Sequence, residues 1–287
     1  MPPKSVIAQH PAHRDDIGDL VTTRPLPGPK VEQVDPFLFL NHHGPQTYPP
    51  NNAGLPFGPH PHRGFETVTF ILEGELAHRD SGGHESVIKA GGVQWMTAGS
   101  GLVHAEVSPA DFLRDGGPLE ILQLWVNLPS RLKMTRPRYM GVQADQIPTL
   151  TADEGKAAVN LISGSWGGRQ GPIWSTTNVF MSTIALKKAG RVGFGSLQGR
   201  NVFLYVVRGE VEVNGVAASA QHLVQLDLEG DIVEIVALRD AFVVFGHAQP
   251  INEPVVAHGP FVMNTREEIA DAIRDYNAGL FGGAPAI

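Results

Sequence analysis

The sequence predicts an all-β fold, two tandem domains of short strands followed by a short C-terminal helix, and three observations carry that prediction. The 33 glycines and 23 prolines are scattered along 287 residues, with short β-branched and aromatic runs between them, the pattern of a sandwich or barrel joined by tight turns. The stretch Phe203–Val213, FLYVVRGEVEV, repeats Phe70–His78, FILEGELAH, through a shared Gly-Glu turn, and Gly74 and Gly209 stand about half the chain apart. With 42% hydrophobic residues the chain can bury two cores of ordinary size.

Taken in order, DLVTTRPLPGPK (Asp19–Lys30) reads as an opening strand with a Pro-rich turn. VDPFLFLN (Val34–Asn41) reads as a buried strand ending at His42 and His43, which face opposite ways and so do not share a metal. Glu66–Leu72 and Glu75–His78 read as a hairpin about Gly74, where positive φ suits the turn. His78 and His84 follow, read as a solvated polar loop. Gly91 and Gly92 open the strand VQWMTA, whose Trp95 and Met96 are core candidates before they are walls of a flat aromatic pocket. LEILQLWVN (Leu119–Asn127) is apolar on both faces and therefore central.

Composition shifts after Pro129, so the boundary is placed within Arg138–Ala144, dividing the chain into domains 1–140 and 141–287. SGSWGGRQG (Ser163–Gly171) lacks a phosphate loop's Lys-Ser/Thr ending and reads as a plain loop. Near the end, Thr265 with Glu268 three residues on is a capping box, opening a helix with Ile269, Ala272, Ile273 and Tyr276 on one face.

Charge and composition exclude several functions. A net charge of −7 without a basic cluster argues against direct nucleic-acid binding. The absence of cysteine removes disulfides, thiolate ligands and a thiol nucleophile together. No secretory signal or membrane span is visible, so a cytoplasmic protein is expected, as a monomer or weak dimer.

Chemistry concentrates in GLPFGPHPHRGFETVTFILEG (54–74) and GGVQWMTAGSGLVHAEV (91–107). On extended strands His60 and His62 share a face, as do His104 and Glu106, and two such pairs on facing strands converge on one point. Alone, H-x-H between prolines resembles a rigid loop and His104 a core histidine. The ordered recurrence of a Gly-rich approach, H-x-H, strand, Gly turn and then H-x-E makes them one metal site. Imidazoles with a carboxylate suit a divalent ion used in non-haem iron oxygen chemistry, and on a six-coordinate ion they leave two open positions. In the second half the positions of His60 and His62 are Gly195 and Leu197, and His222, His247 and His258 are widely spaced. No second metal site is expected there.

These motifs resemble the pirin family of the cupin superfamily. Gly54, His60, His62 and Gly74 follow the first cupin motif, with Glu66 off its usual spacing. Gly101 and His104 follow the second, with Glu106 in place of its asparagine, as in pirins. The wordings PFLFLNH, LQLWVNLP and GPFVMNTREEI extend the resemblance over nearly the whole chain. It implies two tandem cupin domains, the first binding metal through His60, His62, His104 and Glu106, the second lacking ligands. Glu66 is then no ligand, although its phase with His62 makes it a candidate acceptor for an imidazole N–H.

The resemblance also implies a function. Quercetin 2,3-dioxygenase chemistry would use Fe(2+), a flavonol and dioxygen, release carbon monoxide, and give Glu106 a second role as base. The alternative is an iron-dependent regulatory protein acting on transcription or on a metabolic enzyme through a protein partner. H-x-E in place of H-x3-N counts against a sugar-binding or isomerase cupin. The same ligands would accept nickel, zinc, copper or manganese.

Overall fold

The computed structural model describes residues 2–286; strands are the dominant regular structure, with one short α-helix at Ala110–Asp115 and a longer one at Arg266–Asn277. Two compact units emerge. One comprises the N-terminal residues through His13 together with Arg24–Leu38 and Asp145–Pro250. The other comprises Arg14–Thr23, Phe39–Ala144 and the chain from Ile251 onward. The contiguous division at 140/141 is thereby corrected, because each end of the chain joins the unit opposite in sequence. The strand Val6–Pro11 pairs with His222–Leu226, and residues after Pro250 pack on the histidine-bearing unit.

Among the described residues, each unit is built on a seven-stranded and a four-stranded sheet. The sheets of the histidine-bearing unit, the first unit hereafter, run Arg138–Val142, Val93–Thr97, Phe65–Glu73, Gly117–Asn127, Phe37–Tyr48, Thr22–Leu26, His13–Arg14, and Phe57–His62, Leu102–Val107, Glu75–Asp80, Glu85–Lys89. The second unit's run Val6–Pro11, His222–Leu226, Asn201–Arg208, Ala241–Ala248, Phe180–Leu186, Ala157–Ser163, Thr149–Ala152, and Arg191–Phe194, Val233–Ala237, Glu210–Val213, Val216–Ser219. The strand orders correspond one to one, so the Gly-Glu repeat is a repeat of architecture.

Gly74 and Gly209 occupy the same place in that architecture, and it is not a hairpin. The strands flanking each glycine lie in different sheets, so the chain turns a corner from one sheet to the other. Both have positive φ, +81° and +83°. A Cβ would stand 2.7 Å from the Pro118 carbonyl oxygen at Gly74 and 2.2 Å from that of Asp240 at Gly209. Only glycine permits that conformation and that close approach together.

Two further expectations are refined. Ser163–Gly171 contains a tiny hairpin, Ser165–Trp166 against Arg169–Gln170. The strand from Phe37 continues through His42 and His43 to Tyr48. The C-terminal helix has its capping box: Thr265 Oγ1 accepts from the Glu268 N–H at 3.1 Å while Glu268 Oε2 accepts from the Thr265 N–H at 3.0 Å. Of its apolar face Ile269 and Ala272 are buried, whereas Ile273 and Tyr276 remain over one-third exposed.

Thr265→Ala is expected to lower stability by about 1 kcal/mol through loss of the cap. Gly74→Ala and Gly209→Ala should each cost about 1–3 kcal/mol through forced positive φ. Denaturant titration checks both, and an unchanged midpoint in the glycine variants would refute the corner reading.

Candidate metal centre

The ligand strand Phe57–His62 contains Pro59 and Pro61, an unpromising composition for a β-strand. It lies at the edge of its four-stranded sheet, where a missing backbone N–H on the outer side breaks no ladder bond. It pairs antiparallel with Leu102–Val107, placing His104 directly opposite His60. A register shift between His104 and Glu106 then sets Glu106 opposite Phe57.

The result is a compact cluster: one ring nitrogen from each of His60, His62 and His104 lies within 4.8 Å of the others. Two of the rings are oriented by carbonyls. His60 Nδ1 donates to Gly58 O at 2.7 Å and His62 Nδ1 to Pro260 O at 3.3 Å, which leaves each Nε2 with its lone pair available. His104 is fully buried, and neither of its nitrogens has a hydrogen-bond partner. An unsatisfied buried imidazole is costly, and a divalent cation is the partner that three converging lone pairs fit. Burial, reinforced by repulsion from His60, pulls His62 down to about 3. Burial and the neighbouring histidines pull His104 well below the usual range. Neutral pH therefore finds both rings deprotonated and ready to ligate.

Glu106 stands outside this three-histidine group. It is buried, its Oε1 accepting from Gln94 Nε2 and from Thr69 Oγ1 at 3.0 Å, and its Oε2 from Gln123 Nε2 at 3.3 Å. Gln94 Oε1 accepts in turn from the Tyr139 hydroxyl at 3.1 Å. None of the three donors to Glu106, nor Tyr139 behind Gln94, is marked in the sequence, since isolated polar residues inside strands carry no motif.

Other expectations need correction. His78 is no solvated loop residue: it is fully buried on Glu75–Asp80, opposite Glu106, and stacks on Tyr139 at 4.1 Å. Its ring centre is 5.4 Å from that of His104, and its Nε2 lies 3.1 Å from Asp80 Oδ2. The period-two spacing of Leu76, His78 and Asp80 was the available signal. His84 is half exposed and bonds to Asp80. Glu66 accepts from Thr97 Oγ1 at 2.7 Å and from no imidazole. The bend at Gly64, with φ of +89°, breaks the alternation, so His62 and Glu66 do not share phase. Trp95 and Met96 are core residues. The aromatic wall beside His62 is instead Trp125 with Phe65, at ring distances of 5.4 and 4.9 Å. His42 bonds to Glu120 and His43 to Thr22, each at 2.8 Å.

The C-terminal segment secures the ligand strand. Beyond the Pro260–His62 bond, the Val262 N–H donates to Arg63 O at 3.0 Å. Arg63 bonds Asp275 Oδ2 at 2.8 Å and lies over the Phe281 ring at 4.5 Å. Lys133, buried, donates to Gly64 O, Asn127 Oδ1 and Val262 O at 2.7–2.9 Å.

The second unit keeps the architecture without this interior. Thr69 faces Gln94 and Gln123 across its neighbouring strands. The corresponding Leu204 faces Val224 and Phe245, all within an apolar core. An ionised carboxylate has no donors there.

Paired sheets repeated twice, with histidines converging, among the described residues, in the first repeat, define a two-domain cupin. The chain belongs to the pirin family: residues 13–126 match the Pirin family model and residues 181–282 the Pirin C-terminal cupin domain. A pirin-like protein of Caulobacter vibrioides is 42% identical over 263 residues, 90% of this chain and 92% of that protein. The pirin of Rattus norvegicus is 36% identical over 262 residues, 88% and 84% of the two chains. The crystal structure of a quercetin 2,3-dioxygenase from Acinetobacter baumannii superposes with a TM-score of 0.91 at 34% identity, covering 98% of this chain and 99% of that one.

Two outcomes follow for the metal-free protein. His62 titrates near 6.5 when unfolded and near 3 when folded, so between those values the unfolded chain holds more protons. Thermal stability should therefore fall as pH drops from 6.5 towards 3, and less steeply in His62→Leu. Arg63→Met should weaken binding of a divalent ion by about tenfold or more, as loss of a support behind the ligands does, measured by competition with a chelator.

Proposed function

We propose that the protein is an iron-dependent dioxygenase that opens the ring of a flavonol such as quercetin, consuming dioxygen and releasing carbon monoxide. The observation that carries this reading is the cluster of three converging imidazoles, two of them buried, in a chain similar over nearly its whole length to a quercetin 2,3-dioxygenase. His60, His62, His104 and Glu106 would hold the ion. Ferrous iron so held supplies Lewis acidity and the means to bring oxygen to an electron-rich ring.

The remaining work belongs to the chain. Trp125, backed by the buried Phe65, offers a flat face beside His62 against which a flavonol lies. Gln94 and Gln123 donate to Glu106 and hold its carboxylate in place, from where it serves as the acceptor for the proton of the substrate's hydroxyl. Tyr139 fixes the Gln94 amide by donating to its oxygen, so that the nitrogen faces Glu106.

Anaerobic reconstitution with ferrous iron, then addition of quercetin and oxygen, tests the proposal. Iron-dependent loss of flavonol with matching carbon monoxide release is expected, absent in Glu106→Ala. His62→Ala and Glu106→Ala should both lower metal occupancy sharply, and full occupancy in both would sink the ligand assignment. Stoichiometric iron binding without turnover would instead favour an iron-dependent regulatory role through a protein partner.

A further inference from the structure

The second unit contains a cavity of about 600 Å³, lined among others by Trp166, Phe180, Phe194, Ser196, Arg200 and His247. Its location follows from the repeat. At the spacing that relates Gly74 to Gly209, Gly195 and Ser196 take the places of His60 and Pro61, and both line the cavity. Arg200 takes the place of Phe65. By strand register His247, opposite Val202, takes the place of Trp125, opposite Thr67. Loss of an imidazole to glycine opened space, while the apolar Phe65–Trp125 pair became a guanidinium–imidazole pair.

Arg200 is the notable member. Its Nε donates to His247 Nδ1 at 2.7 Å, and one terminal nitrogen donates to the carbonyls of Asn178 at 2.7 Å and His247 at 3.3 Å. All these acceptors are neutral. Among the described residues no carboxylate pairs with Arg200, its second terminal nitrogen has no hydrogen-bond partner, and no acidic side chain lines the cavity. A half-buried cation without a countercharge is costly, and burial holds this guanidinium below its usual value. His247 is pressed flat on Phe180, ring centres 4.7 Å apart and 2° from parallel, which fixes the imidazole that orients Arg200. The rest of the lining mixes the rings of Trp166, Phe180 and Phe194 with small polar side chains; Phe194 stacks on Phe245 at 4.1 Å and the Trp166 indole donates to Gly193 O at 3.3 Å.

We propose that this cavity is a second binding site, for a small aromatic carboxylate whose carboxylate meets Arg200 and whose ring lies among Trp166, Phe180 and Phe194. A planar guanidinium matches a carboxylate in geometry as well as charge, and the volume suits a ligand of one or two rings. The site stands independently of any reaction at the histidine cluster.

Calorimetric titration of the full chain with benzoate and 3,4-dihydroxybenzoate, and with benzyl alcohol as the neutral isostere, tests this. Saturable binding of the acids is expected, with benzyl alcohol at least about tenfold weaker. Arg200→Gln should weaken the acids by about tenfold or more, Trp166→Ala should weaken them too, and His62→Ala should leave them unchanged. Arg200→Lys, which keeps the charge but not the fork, should fall between wild type and Arg200→Gln, and serves alone if the glutamine variant does not fold. No saturable binding at millimolar acid, equal affinity for benzyl alcohol, or wild-type affinity in both Arg200 variants would overturn the proposal. Loss of binding in His62→Ala would reassign it to the histidine cluster and overturn it equally.

Discussion

The strand that presents His60 and His62 is an edge strand, and an edge must be covered or it stays mobile and open to foreign pairing. Its cover is the C-terminal segment of the same chain, running alongside at Arg63 and Phe261 and clamped by Lys133 and Arg63. The same segment supplies the Pro260 carbonyl that sets the tautomer of His62. One long-range interaction thus secures the edge, the orientation of a candidate ligand and the docking of the terminal helix. The prolines that keep this strand out of further pairing also explain why it needs a cover built from side chains and a short parallel bridge.

What was legible in the sequence is what local periodicity encodes. H-x-H and H-x-E announce themselves because residues two apart share a face, and the capping box at Thr265 because both its bonds lie within four residues. The repeat was visible through its glycine corners, though a corner between sheets and a hairpin within one look alike in sequence. That ambiguity hid His78: read as the end of a hairpin it belonged in solvent, whereas past a corner it faces the barrel interior. Glu66 misled for a related reason, since alternation counted from His62 fails at the bend of Gly64. The donors around Glu106 were illegible, because Thr69, Gln94 and Gln123 come from three strands and meet only through register.

The two units show how one architecture accommodates two interiors. Around Glu106 the first invests three polar side chains that satisfy a buried carboxylate. The second replaces the corresponding positions with leucine, valine and phenylalanine, and its barrel fills with apolar contacts. Polarity survives in the second unit at the cavity, where Arg200 and His247 displace aromatic residues. The divergence has moved charge from the Glu106 position to the cavity wall.

The exchange of chain ends has a consequence for biosynthesis. The edge strand Val6–Pro11 leaves the ribosome early but finds its partner only when His222–Leu226 has been made, so it must wait unpaired through most of translation. The histidine cluster lacks the Pro260 carbonyl and the Val262 bridge until residues 260–262 emerge. Neither unit can therefore finish folding before the other is nearly complete, a high-contact-order arrangement that folds slowly. Completion of the histidine cluster thus becomes a late event, waiting on a carbonyl 198 residues beyond His62.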